Sequence, residues 1–100
     1  MKSTHEYIEM LRAHAAELQS KFSISSLSIF GSVARGEQKE GSDVDVFVEM
    51  PATMKKVCGA QLFLEKLLGC DVDLARKHSN LSPYFLNQVE KNGITIFRAA

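Results

Sequence analysis

Two apolar strands separated by one long amphipathic stretch set the tightest limit on how this chain can fold. Asp43 to Met50 alternates, with Val44, Val46 and Val48 on one side and Asp43, Asp45 and Phe47 on the other. Val72-Asp73-Leu74-Ala75 reads as a second such strand. Between them, Met54 to about Leu68 is apolar over a wide arc, with Val57, Cys58, Ala60, Leu62, Phe63, Leu64, Leu67 and Leu68. Pro51 ends the first strand, Thr53 is placed to cap the helix and Gly69 to stop it. A connection this long accommodates a crossover helix, so the two strands should lie parallel in one sheet.

The remaining elements fit around that unit. Ser3 followed by Glu6 reads as a capping box that opens a helix from about Thr4 to Lys21. Its stripe is Ile8, Leu11, Ala15, Leu18 and Phe22. Ser26 to Phe30 is a short alternating strand. Gly31 to Ser42 is a polar loop with three glycines and room for one helical turn after Gly31. Ser82-Pro83 starts a helix that ends at Asn92-Gly93, and Ile94 to Phe97 forms a last short strand. The order is helix, strand, strand, helix, strand, helix, strand. The fold class is therefore α/β (α+β), a small mixed β-sheet flanked by helices. Residues 1–100 are read as a single domain.

Composition narrows the function classes. Twelve basic and twelve acidic residues balance to zero net charge, without the basic excess of a general nucleic-acid binder. No apolar run approaches the roughly 18 residues of a membrane span, and the N-terminus has no signal-peptide core. Cys58 and Cys70 fit neither a CxxC site nor a disulfide framework; they read as small buried apolar residues of a cytoplasmic protein.

The chemistry concentrates in Gly31-Ser32, Asp43-Val44-Asp45 and Asp73. Asp43 and Asp45, two apart on a strand, point to one face with backbones roughly 6.5–7 Å apart. Carboxylates that close repel unless a cation lies between them or one is protonated. Hard oxygen ligands suit Mg²⁺ or Mn²⁺, which complete their shells with water and substrate phosphates. Asp73, on the parallel neighbour, can add a third carboxylate. Asp71 alternates onto the same face but is more simply a strand-entry residue. Gly31 lets the backbone approach a phosphate, free amides at a helix start favour the anion, and the Ser32 hydroxyl adds a donor. Phosphate donors beside metal ligands fit in-line phosphoryl or nucleotidyl transfer.

Gly31-Ser32-Val33-Ala34-Arg35-Gly36, ten residues between Ser32 and Asp43, and then Ser42-Asp43-Val44-Asp45-Val46 resemble the signature of the polymerase-beta-type nucleotidyltransferase superfamily. The chain as a whole resembles its minimal branch, MNT, and the MntA-like antitoxins of HEPN/MNT pairs. The resemblance implies the nucleotidyltransferase fold. It implies that Asp43 and Asp45 bind metal with the triphosphate, most simply two Mg²⁺ ions with Mn²⁺ as the alternative. Gly31 and Ser32 would hold phosphate, and Asp73 would complete the metal and acceptor site. Arg35 either contacts phosphate or pairs with Glu37 or Glu40. Ser42 is a further candidate for substrate contact, although closing the turn before the aspartates is its simpler role. His5, His14 and His78 have no ligand-like spacing and are expected on the surface. Tyr84 and Phe85 are expected to pack.

Little of the chain is left over to grip an acceptor. Minimal members of the family often act with a separately encoded helical HEPN partner, and in some pairs the minimal protein neutralises a HEPN toxin by adenylylating it. The resemblance thus implies transfer of NMP, most simply AMP from ATP, to a hydroxyl of such a partner. Neither a membrane nor nucleic acid is the expected acceptor. Two rivals stand beside this reading: a nucleotide-binding antitoxin that acts by contact alone, and the catalytic subunit of a small-molecule, antibiotic-type nucleotidyltransferase.

Overall fold

The structure, a computed structural model, describes residues 1–99. Its elements are α1 (Thr4–Ala13), α2 (Ala15–Phe22), β1 (Ser26–Phe30), α3 (Gly31–Arg35), β2 (Val44–Glu49), α4 (Met54–Leu68), β3 (Val72–Arg76), α5 (Pro83–Asn92) and β4 (Ile94–Arg98). The four strands form one mixed sheet in the order β3-β2-β1-β4. β2 and β3 are parallel, joined by α4, and β1 is antiparallel to both β2 and β4.

One face of the sheet carries the core. Leu27 and Ile29 of β1 and Val44, Val46 and Val48 of β2 are fully buried there. They share one cluster with Tyr7 and Leu11 of α1, Leu18 of α2, and Ala60, Leu64 and Leu68 of α4. Removing such a side chain from water contributes about 1.5–3 kcal/mol, so this face anchors the strands and fixes which residues look the other way. α4 buries a narrower stripe than its composition suggested. Ala60, Leu64 and Leu68 recur at four-residue spacing and meet the sheet, and Leu62, more than half a turn away, is 63% exposed. Cys58 is likewise exposed, contrary to the expectation of burial, and only Cys70 is partly buried, its Sγ 3.9 Å from Tyr7 Oη.

The expected single N-terminal helix is broken at His14. The His14 ring Nδ1–H donates to the Met10 carbonyl at 2.9 Å, the acceptor that the His14 amide would use in a continuous helix. The amide turns instead to Leu11 O at 3.2 Å. The ring sits edge-on to Phe63, with centroids 6.2 Å apart, so His14 is partly buried rather than on the surface. His5 and His78 are exposed. The Ser3–Glu6 capping box is present, and Ser82 Oγ accepts the Phe85 amide with Pro83 at the first turn of α5. Thr53 occupies the N-cap of α4 without a side-chain hydrogen bond.

α5 crosses the outer face. Phe85 stands edge-on to Phe30 and Phe47, with centroids 5.6 and 5.8 Å away. Tyr84, expected to pack as well, is 74% exposed. Gly93 lets α5 return tightly: a Cβ there would overlap Val89 O and come within 3.1 Å of Ile29 O. β4 can thus begin pairing with β1 at the next residue. The outer face is divided as a result. Phe85 closes its middle, and the end carrying Phe30, Asp45 and Asp73 stays open.

Candidate active site

Register brings two of the three aspartates side by side. Asp45 is the parallel partner of Asp73, and on its other flank Asp45 pairs with Phe30, the last residue of β1. Residues directly opposite in a sheet share a face, so Asp45 and Asp73 form one row on the outer side. Asp43 lies just before β2, which starts at Val44 rather than at Asp43 as the alternation suggested. Its charge still reaches the same place. Partial burial pushes the Asp45 carboxyl above its ordinary value, and the Asp73 and Asp43 carboxylates push it further, with Arg35 opposing them. Asp71 is not among the charges acting on Asp45. Its backbone carbonyl accepts the Val44 amide at 3.0 Å, and the residue borders a separate cleft with Ser42, Gly69 and Cys70.

The chain reaches α3 directly from β1. Phe30 is extended, and Gly31 takes a left-handed conformation at φ +68°. A Cβ on Gly31 would overlap Asp45 Oδ2 and lie 3.1 Å from its Cγ. A close backbone approach at Gly31 was expected from the sequence, but the group that occupies the space beside it was not. The backbone of the phosphate-loop candidate is packed against the central carboxylate itself. Ser32 follows, partly buried, at the first turn of α3, where amides lack helical acceptors.

The other candidates are placed less centrally. Arg35 Nε contacts Glu37 Oε1 at 2.6 Å between two well-exposed side chains, an ion pair worth at most about 1 kcal/mol. The Arg35 charge nevertheless acts on Asp45. Ser42 closes a turn: its amide donates to Lys39 O at 2.9 Å, and its Oγ accepts the Lys39 amide at 3.0 Å. Among the described residues no three His, Cys, Asp or Glu side chains form a ready-made metal cage. The donor chemistry nonetheless fits a hard divalent ion. Asp43, Asp45 and Asp73 supply only carboxylate oxygens, and the repulsion that Asp73 and Asp43 add to the burial of Asp45 is one that a bound cation would relieve. Magnesium sites commonly use one or two protein carboxylates and take their other ligands from water and substrate phosphates.

A mixed sheet whose open end gathers carboxylates beside a glycine-serine helix start defines a nucleotidyl-transfer class of domain. Residues 11–96 match the family model described as nucleotidyltransferase domain, and the chain belongs to that family. A protein of Methanocaldococcus jannaschii, named for protein adenylyltransferase activity, is 40% identical over 98 residues, covering 96% of this chain and all of that one. Protein adenylyltransferase MntA of Thermococcus cleftensis is 42% identical over 82 residues, or 79% of this chain and 82% of its own. A solved structure described as a minimal nucleotidyltransferase superposes with a TM-score of 0.68 at 35% identity, covering 87% of this chain and 93% of that one. A Shewanella oneidensis complex of a tri-AMPylated HEPN toxin with its MNT antitoxin shares the fold, with a TM-score of 0.64 at 20% identity and coverage of 92% and 73%.

Proposed function

We propose that the protein transfers AMP from ATP to a hydroxyl of a HEPN-type partner protein in the cytoplasm. The observation that carries the proposal is the Asp45–Asp73 register pair on the open end of the outer face, with the Gly31 backbone against Asp45. Support for the acceptor comes from the relatives named for protein adenylyltransferase activity, which match 96% and 79% of the chain, and from the AMPylated toxin seen with the related fold.

In this reading Gly31 and Ser32 hold the triphosphate, with Arg35 near enough to add positive charge. Asp43, Asp45 and Asp73 would hold divalent metal, Mg²⁺ or Mn²⁺, which when bound offsets charge on the triphosphate and on the departing pyrophosphate. The acceptor oxygen forms a bond to the α-phosphorus as the bond to pyrophosphate breaks. The hydroxyl proton passes to the Asp73 carboxylate, the most exposed of the paired row. Phe30, Phe47 and Phe85 wall one side of the site and leave the β3 side open to the partner. Zero net charge gives no broad basic surface on which nucleic acid would compete as acceptor.

The first test is nucleotide binding. Calorimetry should show ATP binding in Mg²⁺ or Mn²⁺ that weakens at least about tenfold in chelator, a loss of roughly 1.4 kcal/mol. Equal affinity in the two conditions contradicts a metal-bridged site.

A further inference from the structure

We infer that Thr4 and Gln38 are positioning residues, which tie the segment carrying Asp43 to the first turn of α1 and so set the geometry of the metal-facing end. The inference rests on the proposed function for the identity of the site it acts on. Eight residues, 36–43, lie between α3 and β2, outside any helix or strand. One end of this segment follows Gly31 and Ser32, and the other carries Asp43 into Asp45. A loop free to move there would blur both groups at once, because catalysis of this kind depends on placement to within about 1 Å.

Besides an ion pair between the Met1 amine and Glu40, the segment is held from outside by a node at Thr4 and Gln38. Thr4 Oγ1 donates to Val33 O of α3 at 2.5 Å. The same oxygen lies 3.5 Å from Gln38 Nε2, which donates to the Lys2 carbonyl at 3.0 Å. Gly36 turns left-handed at φ +71° near Thr4, whose Oγ1 would lie 3.9 Å from a Cβ there, an ordinary contact. The Glu37 amide closes back on Ser32 O at 2.9 Å. Beyond Gln38, the double hydrogen bond between Lys39 and Ser42 closes the last turn just before Asp43. The relay runs Thr4, Gln38, the 39–42 turn, Asp43. It connects the N-terminus of α1, itself fixed by the Ser3–Glu6 box, to the carboxylates. Thr4 touches none of the proposed nucleotide or metal groups; it acts through the Val33 carbonyl of α3 and through Gln38 in the loop.

The test uses Thr4→Val, which keeps shape and loses the hydroxyl, Thr4→Ser, which keeps the hydroxyl, and Gln38→Met. Three readouts are taken on the full chain: amide exchange of residues 36–43, Mn²⁺ binding by electron paramagnetic resonance, and transfer kinetics. Exchange in 36–43 should rise at least about tenfold in Thr4→Val and Gln38→Met relative to β4 amides in the same sample. Mn²⁺ affinity should fall severalfold and kcat by roughly ten- to a hundredfold, with KM for ATP within about twofold of wild type because Val33 stays anchored in the core. Thr4→Ser should restore all three. Unchanged exchange in 36–43 in both cut variants overturns the inference, as does a Thr4→Ser protein as impaired as Thr4→Val. If wild type neither binds Mn²⁺ nor transfers nucleotide, the proposed function fails, while the exchange comparison still decides whether the tie holds the loop.

Discussion

Asp45→Asn should lose transfer by at least about a hundredfold and, in chelator at neutral pH, melt higher than the wild-type protein. The loss follows from removing the central charge of the row, since metal-borne stabilisation of phosphoryl charge is worth several kcal/mol and each tenfold in rate is about 1.4 kcal/mol. The gain in stability follows from the sign of the Asp45 shift. Its folded pKa is raised from the ordinary 3.8 by burial, by Asp73 and by Asp43. The fold therefore binds this proton more tightly than the unfolded chain does. Ionised Asp45 subtracts from stability at neutral pH, and that penalty vanishes as pH falls below the unfolded value. Asparagine keeps the shape beside Gly31 and carries no charge at any pH. The melting difference should thus be present at pH 7 and disappear near about pH 3. Because the group is only partly buried, water screens it, and the gain should be a few degrees at most. With Mg²⁺ and ATP the order should reverse, since only wild type gains from the bound ligands. A variant that is unfolded in chelator would make Asp45 structural and remove it from the site.

The second large effect is expected at Gly31. Gly31→Ala places a methyl group where Asp45 Oδ2 now lies, and it holds a non-glycine residue at positive φ, which costs roughly 1–2 kcal/mol. For a domain of this size that strain lowers Tm by about 4–8 °C per kcal/mol. The carboxylate is the free end of a side chain and can swing away, so the fold survives and the site does not. Transfer should fall at least about a hundredfold. Gly69→Ala is the control. Its φ is +72°, nearly the same, but a Cβ there meets only Lys2 Nζ at an ordinary 3.6 Å. It should lose comparable stability and keep transfer near wild type. If the two variants lose activity alike, backbone strain alone explains Gly31, and the contact with Asp45 has no role.

These two residues also show what could be read from the chain and what could not. The parallel pairing of β2 with β3 was legible because a long amphipathic stretch leaves few other connections. That pairing then fixes Asp73 opposite Asp45, a neighbour relation that alternation alone left open against Asp71. The close backbone approach at Gly31 was legible from residue type, but the filling of that space by Asp45 depends on the exact register of β1 against β2, which no local pattern encodes. His14 broke a good helical stripe because one side chain captured a backbone acceptor, a competition that periodicity does not see. Cys58 and Leu62 lay on an arc too wide for one sheet face to cover. Thr4 and Gln38 escaped notice entirely. Their partners lie 29 and 36 residues away in the chain, and nothing in residue type distinguishes them from any polar surface pair.

Transfer of AMP to a protein hydroxyl is tested most directly by intact-mass spectrometry of the co-expressed HEPN-type partner. Wild type and Asp73→Asn are compared. An amide at position 73 keeps size and polarity beside Asp45 but cannot take up the hydroxyl proton. The partner should carry one or more added adenylyl groups with wild type and none with Asp73→Asn, and the mutant should still co-purify with the partner. A partner that is neutralised yet unmodified by either chain contradicts the account and establishes neutralisation by contact alone.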